Sequence, residues 1–193
     1  MTVMETRNLA TNDVEIREGE DGKRTITGYA IKWEMKSHAM GWRRFKEQFK
    51  RGAFTDSLTR DDQLALWSHD TSKILGRTKN GTLRLFEDEI GLRFELDLPN
   101  TTLGNDTYET IKRGDVDGVS FGFQMMKQEW DENDIENITR TILKAKLIEI
   151  SPVAFPAYPD SQVQARSHDP YKEHVESRKQ NERRRRLFLQ SLI

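Results

Sequence analysis

Apolar and polar residues alternate with a period of two through several stretches of the chain. In residues 81–87 (GTLRLFE), Leu83 and Leu85 share one face; in 91–98 (GLRFELDL), Leu92, Phe94, Leu96 and Leu98 do. That pattern predicts two strands joined by a hairpin loop at Glu87-Asp88-Glu89, the second strand ending at Pro99-Asn100. Arg24–Trp33 (RTITGYAIKW) is rich in Thr, Ile, Tyr and Trp and predicts another strand, with Gly28 marking a bulge or a close backbone approach. Val116–Gln128, with glycines spaced through it, and Thr139–Ile150 predict two more, separated by the polar loop 131–137. The apolar run from Gln63 predicts a strand that ends at His69. Two short helices are expected, one over 105–113 stopped by Gly114, the other over 53–58 after Gly52. Pro152, Pro156 and Pro159 argue against regular structure over 151–159 and predict a stiff, extended loop. Six or so strands with short connections predict a mostly β fold with a few short helices. The fold expected is a small antiparallel β-barrel rather than a sheet of βαβ units.

Composition narrows the chemistry. The 193 residues weigh 22.6 kDa and include no cysteine, which excludes disulfides, thiol catalysis and Cys-ligated zinc. Four histidines are too few for a His-rich metal cage. The longest apolar run, Leu64-Ala65-Leu66-Trp67, is too short for a membrane span, and the first residues lack a basic-then-apolar signal segment, so a cytosolic setting is expected. The net charge of −1 hides an asymmetry. Residues 166–193 hold eight Lys/Arg and four Asp/Glu (+4), which leaves 23 against 28 (−5) for the rest. The expected division is an N-terminal arm (1–23), a β-barrel domain (24–165) and a basic tail (166–193), helical or disordered.

Three residues stand out as chemistry-bearing. His69 at its strand end is either an ordinary hydrogen-bonded imidazole or a general base, since imidazole titrates near neutral pH. Ser120 shares a strand face with Gly118 and Gly122, whose missing side chains leave room for a substrate backbone or merely relieve crowding at a barrel corner. The Gly118-Val119-Ser120-Phe121-Gly122 run lacks the strand–turn–helix context of a hydrolase elbow. Glu149, between two isoleucines, needs a partner if buried, either an Arg or Lys at the barrel rim or a histidine that it orients. Asp70 is the weaker candidate for that role, because neighbouring strand residues point to opposite faces. His38 falls in a polar loop, and His168 and His174 fall in the tail, where solvation is expected. The Arg183–Arg186 run suits a solvated face or an acidic partner. It lacks the interleaved aromatics of a single-strand nucleic-acid binder.

Taken in order, Thr27-Gly28-Tyr29-Ala30, Gly52-Ala53-Phe54, Trp67-Ser68-His69-Asp70, Leu75-Gly76-Arg77-Thr78, Glu87-Asp88 with Gly91-Leu92, Gly118–Phe123, Leu147–Val153 and Pro156-Ala157-Tyr158-Pro159 form a recognisable series. Over about residues 25–165 the chain resembles the tailed-phage prohead maturation proteases, serine proteases related in fold to the herpesvirus assemblins. Residues 35–44 agree least. The resemblance implies a small, mostly antiparallel β-barrel flanked by helices. It implies His69 as catalytic histidine, Ser120 as nucleophile and Glu149 as the acid in third place, where assemblins carry a second histidine. No metal or organic cofactor is implied. The implied substrates are the scaffolding segment of the major capsid protein precursor and the enzyme itself, cut inside the procapsid in the host cytoplasm. A homodimer is among the expected states, without membrane or nucleic-acid partners. Three other readings stay open: a non-catalytic capsid assembly or scaffold protein on the same fold, a fused protease–scaffold, and a plain β-barrel binding module.

Overall fold

The computed structural model describes residues 4–9, 14–19, 22–41, 43–154 and 169–190. Along the chain run β1 (Met4–Leu9), β2 (Glu15–Glu18), β3 (Arg24–Lys32), β4 (Lys46–Phe49), α1 (Thr55–Arg60), β5 (Leu64–Trp67), β6 (Asp70–Arg77), β7 (Leu83–Glu87), β8 (Gly91–Asp97), α2 (Thr102–Lys112), β9 (Gly118–Asp131), β10 (Thr139–Val153) and α3 (Pro170–Gln190). The predicted 81–87 and 91–98 strands pair as β7 and β8, with Leu83 opposite Leu96 and Leu85 opposite Phe94. They join β2 and β3 in a four-stranded sheet ordered β2-β3-β8-β7. The bulge expected near Gly28 falls two residues later, at Ala30.

The larger, curled sheet is ordered β1-β9-β10-β5-β6, with β4 also on β10. Its spine is the long β9–β10 hairpin, closed over the polar 132–138 loop. Apolar faces of the two sheets meet in one core. There Phe49 sits edge-on to Phe121 and Phe123, at centroid distances of 5.4 and 5.2 Å. Edge-to-face pairs of this kind contribute about 0.5–1.5 kcal/mol each beyond buried area.

The fold is mostly β, as expected, but the ladders are not all antiparallel. β4 pairs in parallel with Thr139–Ile142, and β5 in parallel with Glu149–Ile150. The chain runs once along this edge of β10, touching it twice in the same direction. α1 fills the interval between the two ladders. The Ser57 hydroxyl accepts the Leu147 N–H at 3.0 Å, and the Ala53 carbonyl accepts that of Ala145 at 2.8 Å. β10's backbone donors are thus served where no strand lies beside them.

Four strands were not expected from the alternation: β1 and β2 within the N-terminal arm, β4, and β6 after His69. The proline-bearing stretch also departs from expectation, since Ser151, Pro152 and Val153 remain in β10, opposite Ser120, Val119 and Gly118. Pro152 is tolerated because its carbonyl faces away from β9 and accepts the Ser68 N–H at 3.3 Å. In a strand the nitrogen of a residue points the same way as its carbonyl, so no β9 ladder bond is lost. Pro156 and Pro159 lie outside the described residues, as do His168 and the boundary expected after Ala165.

The described part of the tail is helical. In α3, Pro170 and Tyr171 are buried, and Tyr171 completes a second, small cluster with Phe45 and Ile138. His174 is not solvated as expected. It stacks on Trp130 at a centroid distance of 5.2 Å, while Arg178 pairs with Glu132 at 2.6 Å. From Glu176 onward the helix is exposed, the Arg183–Arg186 run included. Among the described residues no helix is long and apolar enough to cross a membrane.

Candidate active site

His69 is not on a strand. Trp67 pairs with Asp70, so Ser68 and His69 are the two central residues of a tight hairpin between β5 and β6. Both have positive φ, 51° and 62°. Right-handed strand twist favours a turn of this hand, normally built with Asn and Gly. For Ser and His the left-handed region costs on the order of 1 kcal/mol each, so the surroundings must impose it. Three bonds do so. Ser68 N–H meets the Pro152 carbonyl, His69 N–H donates to Ser151 Oγ at 3.1 Å, and His69 Nδ1 lies 2.8 Å from Glu149 Oε1. The turn aims the imidazole back over the sheet at β10.

Glu149 reaches that face through a β-bulge. Opposite β9, Leu147 pairs with Phe123 and Glu149 with Gly122, one residue apart on β9 but two on β10. In a regular strand Leu147 and Glu149 would share a face, and Leu147 belongs to the core. The extra residue, Ile148, reverses the alternation, so Ile150 enters the core while Glu149 and Ser151 turn to the opposite face. Glu149 is only 2% exposed. It pairs with His69 and not with a rim Arg or Lys: Oε1 accepts from the imidazole and Oε2 accepts from Ser151 Oγ at 2.6 Å.

Ser120 is on the same face. In β9, Val119, Phe121 and Phe123 point to the core, which leaves Ser120 and Gly122 on the Glu149 side. Ser120 is the register partner of Ser151, and Gly122 that of Glu149. The space at Gly122, which the sequence left open to a substrate backbone or to relief of crowding, is taken by the site itself. A Cβ there would stand 2.7 Å from Glu149 Oε1 and 2.2 Å from the Met4 methyl. Ser120 is fully buried, and its hydroxyl donates to the Arg7 carbonyl of β1 at 2.9 Å.

β1 is anchored by a buried ion network. Arg140 donates to Glu5 at 2.6 and 2.9 Å and to Glu47 at 2.6 Å, and Arg7 donates to Glu47 at 2.7 Å. Burial alone would push the Glu5 carboxyl up. The bonds and charges of Arg140 and Arg7 outweigh it and hold Glu5 below the usual carboxylate range.

The remaining candidates stand apart. Asp70 opens β6, where it accepts from Ser72 and pairs with Lys73 at 3.4 Å, so it is not the partner of His69. His38 is exposed in the loop between β3 and β4. Among the described residues no three His, Asp or Glu side chains are grouped to hold a metal ion. Ser151 was missed. The Ser151-Pro152 dipeptide reads as the start of a loop, and only a strand continuing through it puts the hydroxyl beside Glu149.

A hydroxyl, an imidazole and a carboxylate thus gather on one sheet face, the carboxylate bonded to the ring nitrogen. The model of the family described as Caudovirus prohead serine protease matches residues 10–174. The chain belongs to that family. Serine protease activity and a role in prohead maturation are that family's general character. A solved structure, the bacteriophage T4 capsid assembly protease gp21, is similar with a TM-score of 0.55 and 12% sequence identity, covering 79% of this chain and 98% of that one. At that identity the likeness speaks for the fold alone. No curated protein matches this chain by sequence.

Proposed function

We propose that this prohead protease is a serine endopeptidase whose triad is Ser120, His69 and Glu149. The observation that carries the reading is the 2.8 Å contact from His69 Nδ1 to Glu149 Oε1 on the sheet face that bears Ser120. With Nδ1–H donated to the carboxylate, Nε2 is left as the basic nitrogen. Ser120 Oγ attacks the scissile carbonyl and its proton passes to Nε2. The imidazolium is stabilised by Glu149, and it then protonates the leaving amine. Water repeats the cycle to release the acyl group. The Ser120 hydroxyl, which bonds the Arg7 carbonyl, turns about its Cα–Cβ bond to begin the first step. Backbone amides supply the oxyanion donors.

The substrates in this reading are the scaffolding segment of the capsid precursor and the protease itself, inside a procapsid in the host cytoplasm. The exposed basic half of α3 docks the enzyme there against an acidic surface. A fluorophosphonate probe tests the triad without a known cleavage sequence. Wild type is expected to be labelled at Ser120, and Ser120→Ala to fold, escape labelling and leave the precursor uncut. Wild-type chain that is folded but never labelled, or Ser120→Ala that cuts precursor at the wild-type rate, overturns the assignment.

A further inference from the structure

We propose that Ser151 is a positioning residue of this site, tying the turn that carries His69 to the carboxylate that orients it. The inference rests on the triad reading above. Glu149 as a carboxylate can only accept, so the single Ser151 proton must go to Oε2, along the 2.6 Å contact. A lone pair is thereby left for the His69 N–H, at 3.1 Å. His69 is held at both ends: its ring by one oxygen of Glu149, its backbone by the serine bonded to the other oxygen.

The closed ring has two mechanical consequences. Terminal carboxylate torsions are soft. With each oxygen committed to a different donor, Glu149 cannot swing, and Oε1 stays in line with Nδ1. The costly left-handed backbone at His69 is also tied to the group its ring must reach, so loosening one loosens the other. Ser151 is fully buried and is the cross-strand partner of Ser120. The ring therefore adjoins the nucleophile without Ser151 taking part in proton transfer. Removing its hydroxyl leaves a buried carboxylate oxygen and a backbone N–H without these partners, the kind of loss that outweighs an ordinary hydrogen bond.

The test compares Ser151→Ala, Ser151→Cys and Ser151→Thr with wild type and Ser120→Ala in the full chain. It reads the rate of fluorophosphonate labelling, the melting temperature and the downfield proton resonance of the His69–Glu149 contact. Cys fills nearly the same space as Ser but is a weak donor, so it separates hydrogen bonding from packing. Ala and Cys are both expected to label about tenfold more slowly, with the downfield resonance displaced or lost. Thr, which keeps the hydroxyl, is expected to return to within about threefold of wild type. Cys labelling at the wild-type rate with an unmoved resonance overturns the proposal, whether or not the Ala variant folds. Absence of labelling in folded wild-type chain would instead sink the triad reading on which the proposal rests.

Discussion

Replacing Gly122 by Ala adds one methyl group at the point where β9 passes under the Glu149 carboxylate. The new Cβ would lie 2.7 Å from Oε1, whereas ordinary contact begins near 3.4 Å. The oxygen must therefore retreat by about 0.7 Å, and it is the oxygen that bonds His69 at 2.8 Å. A bond stretched to about 3.5 Å is beyond the useful range for an N–H···O contact. The Met4 methyl, 2.2 Å away, is the end of a flexible, half-exposed chain and moves aside at little cost. A displacement approaching 1 Å in a catalytic array costs up to about a hundredfold. The expected outcome is labelling and precursor cleavage slowed by about ten- to a hundredfold. Overpacking of this kind costs about 1–3 kcal/mol, a drop of a few degrees in Tm. The double variant Gly122→Ala/Met4→Ala should not recover, because the displaced group is Glu149. Gly122→Ala working within threefold of wild type, or full recovery on trimming Met4, would refute the argument.

Three further outcomes are expected. Glu149→Gln should keep the fold and lose most of the activity, by less than the roughly 10⁴ of the matching change in a trypsin-like triad, while Asp70→Asn costs far less; a larger loss at Asp70 in a cleavage assay would reverse the assignment. Glu5→Ala should destabilise the chain by about 3 kcal/mol in urea unfolding, because it removes one acceptor of the buried Arg140. Since the Glu5 carboxyl is held down in the folded state, its contribution is fully present above the ordinary carboxylate value and is lost as pH falls through the folded value. The fall in wild-type stability below about pH 4.5 should therefore be shallower in Glu5→Ala, and parallel curves would count against it. A chain ending after Lys179 keeps the α3 turns docked on Trp130 and loses the Arg183–Arg186 run; it should melt and cleave as wild type yet fail to enter procapsids, and normal incorporation would end the docking idea.

Much of the fold was legible because β7 and β8 of the smaller sheet are half-buried and their apolar residues alternate with polar ones. Leu83, Leu85, Leu92, Phe94 and Leu96 declare their face by period alone. What escaped shows no clean apolar alternation. β1 buries Glu5 and β4 buries Glu47 beside Phe49, both carboxylates pointing at Arg140, and an inward carboxylate reads as an outward one when its partner is more than ninety residues away. β6 is edge strand for most of its length, exposed from Thr71 to Ile74, and carries little apolar signal. The proline stretch misled for a different reason. Proline breaks a strand only where the missing N–H is needed, and Pro152 faces the hairpin turn.

The site shows the same division more sharply. Ser120 and its two glycines lie in a regular stretch of β9, so strand parity alone put them on one face. Glu149 could not be placed that way. Parity counted from Leu147 sends it into the core, and only the extra residue at Ile148 turns it to the face that bears Ser120. His69 was read one element short, because nothing in Trp67-Ser68-His69-Asp70 announces a turn that usually needs Asn and Gly. The bonds that make so poor a turn sequence adopt a left-handed backbone are supplied by Glu149, Ser151 and Pro152, all beyond the bulge. The two irregularities therefore depend on each other: the bulge presents the acceptors that fold the turn, and the turn delivers the imidazole to the carboxylate that the bulge exposes.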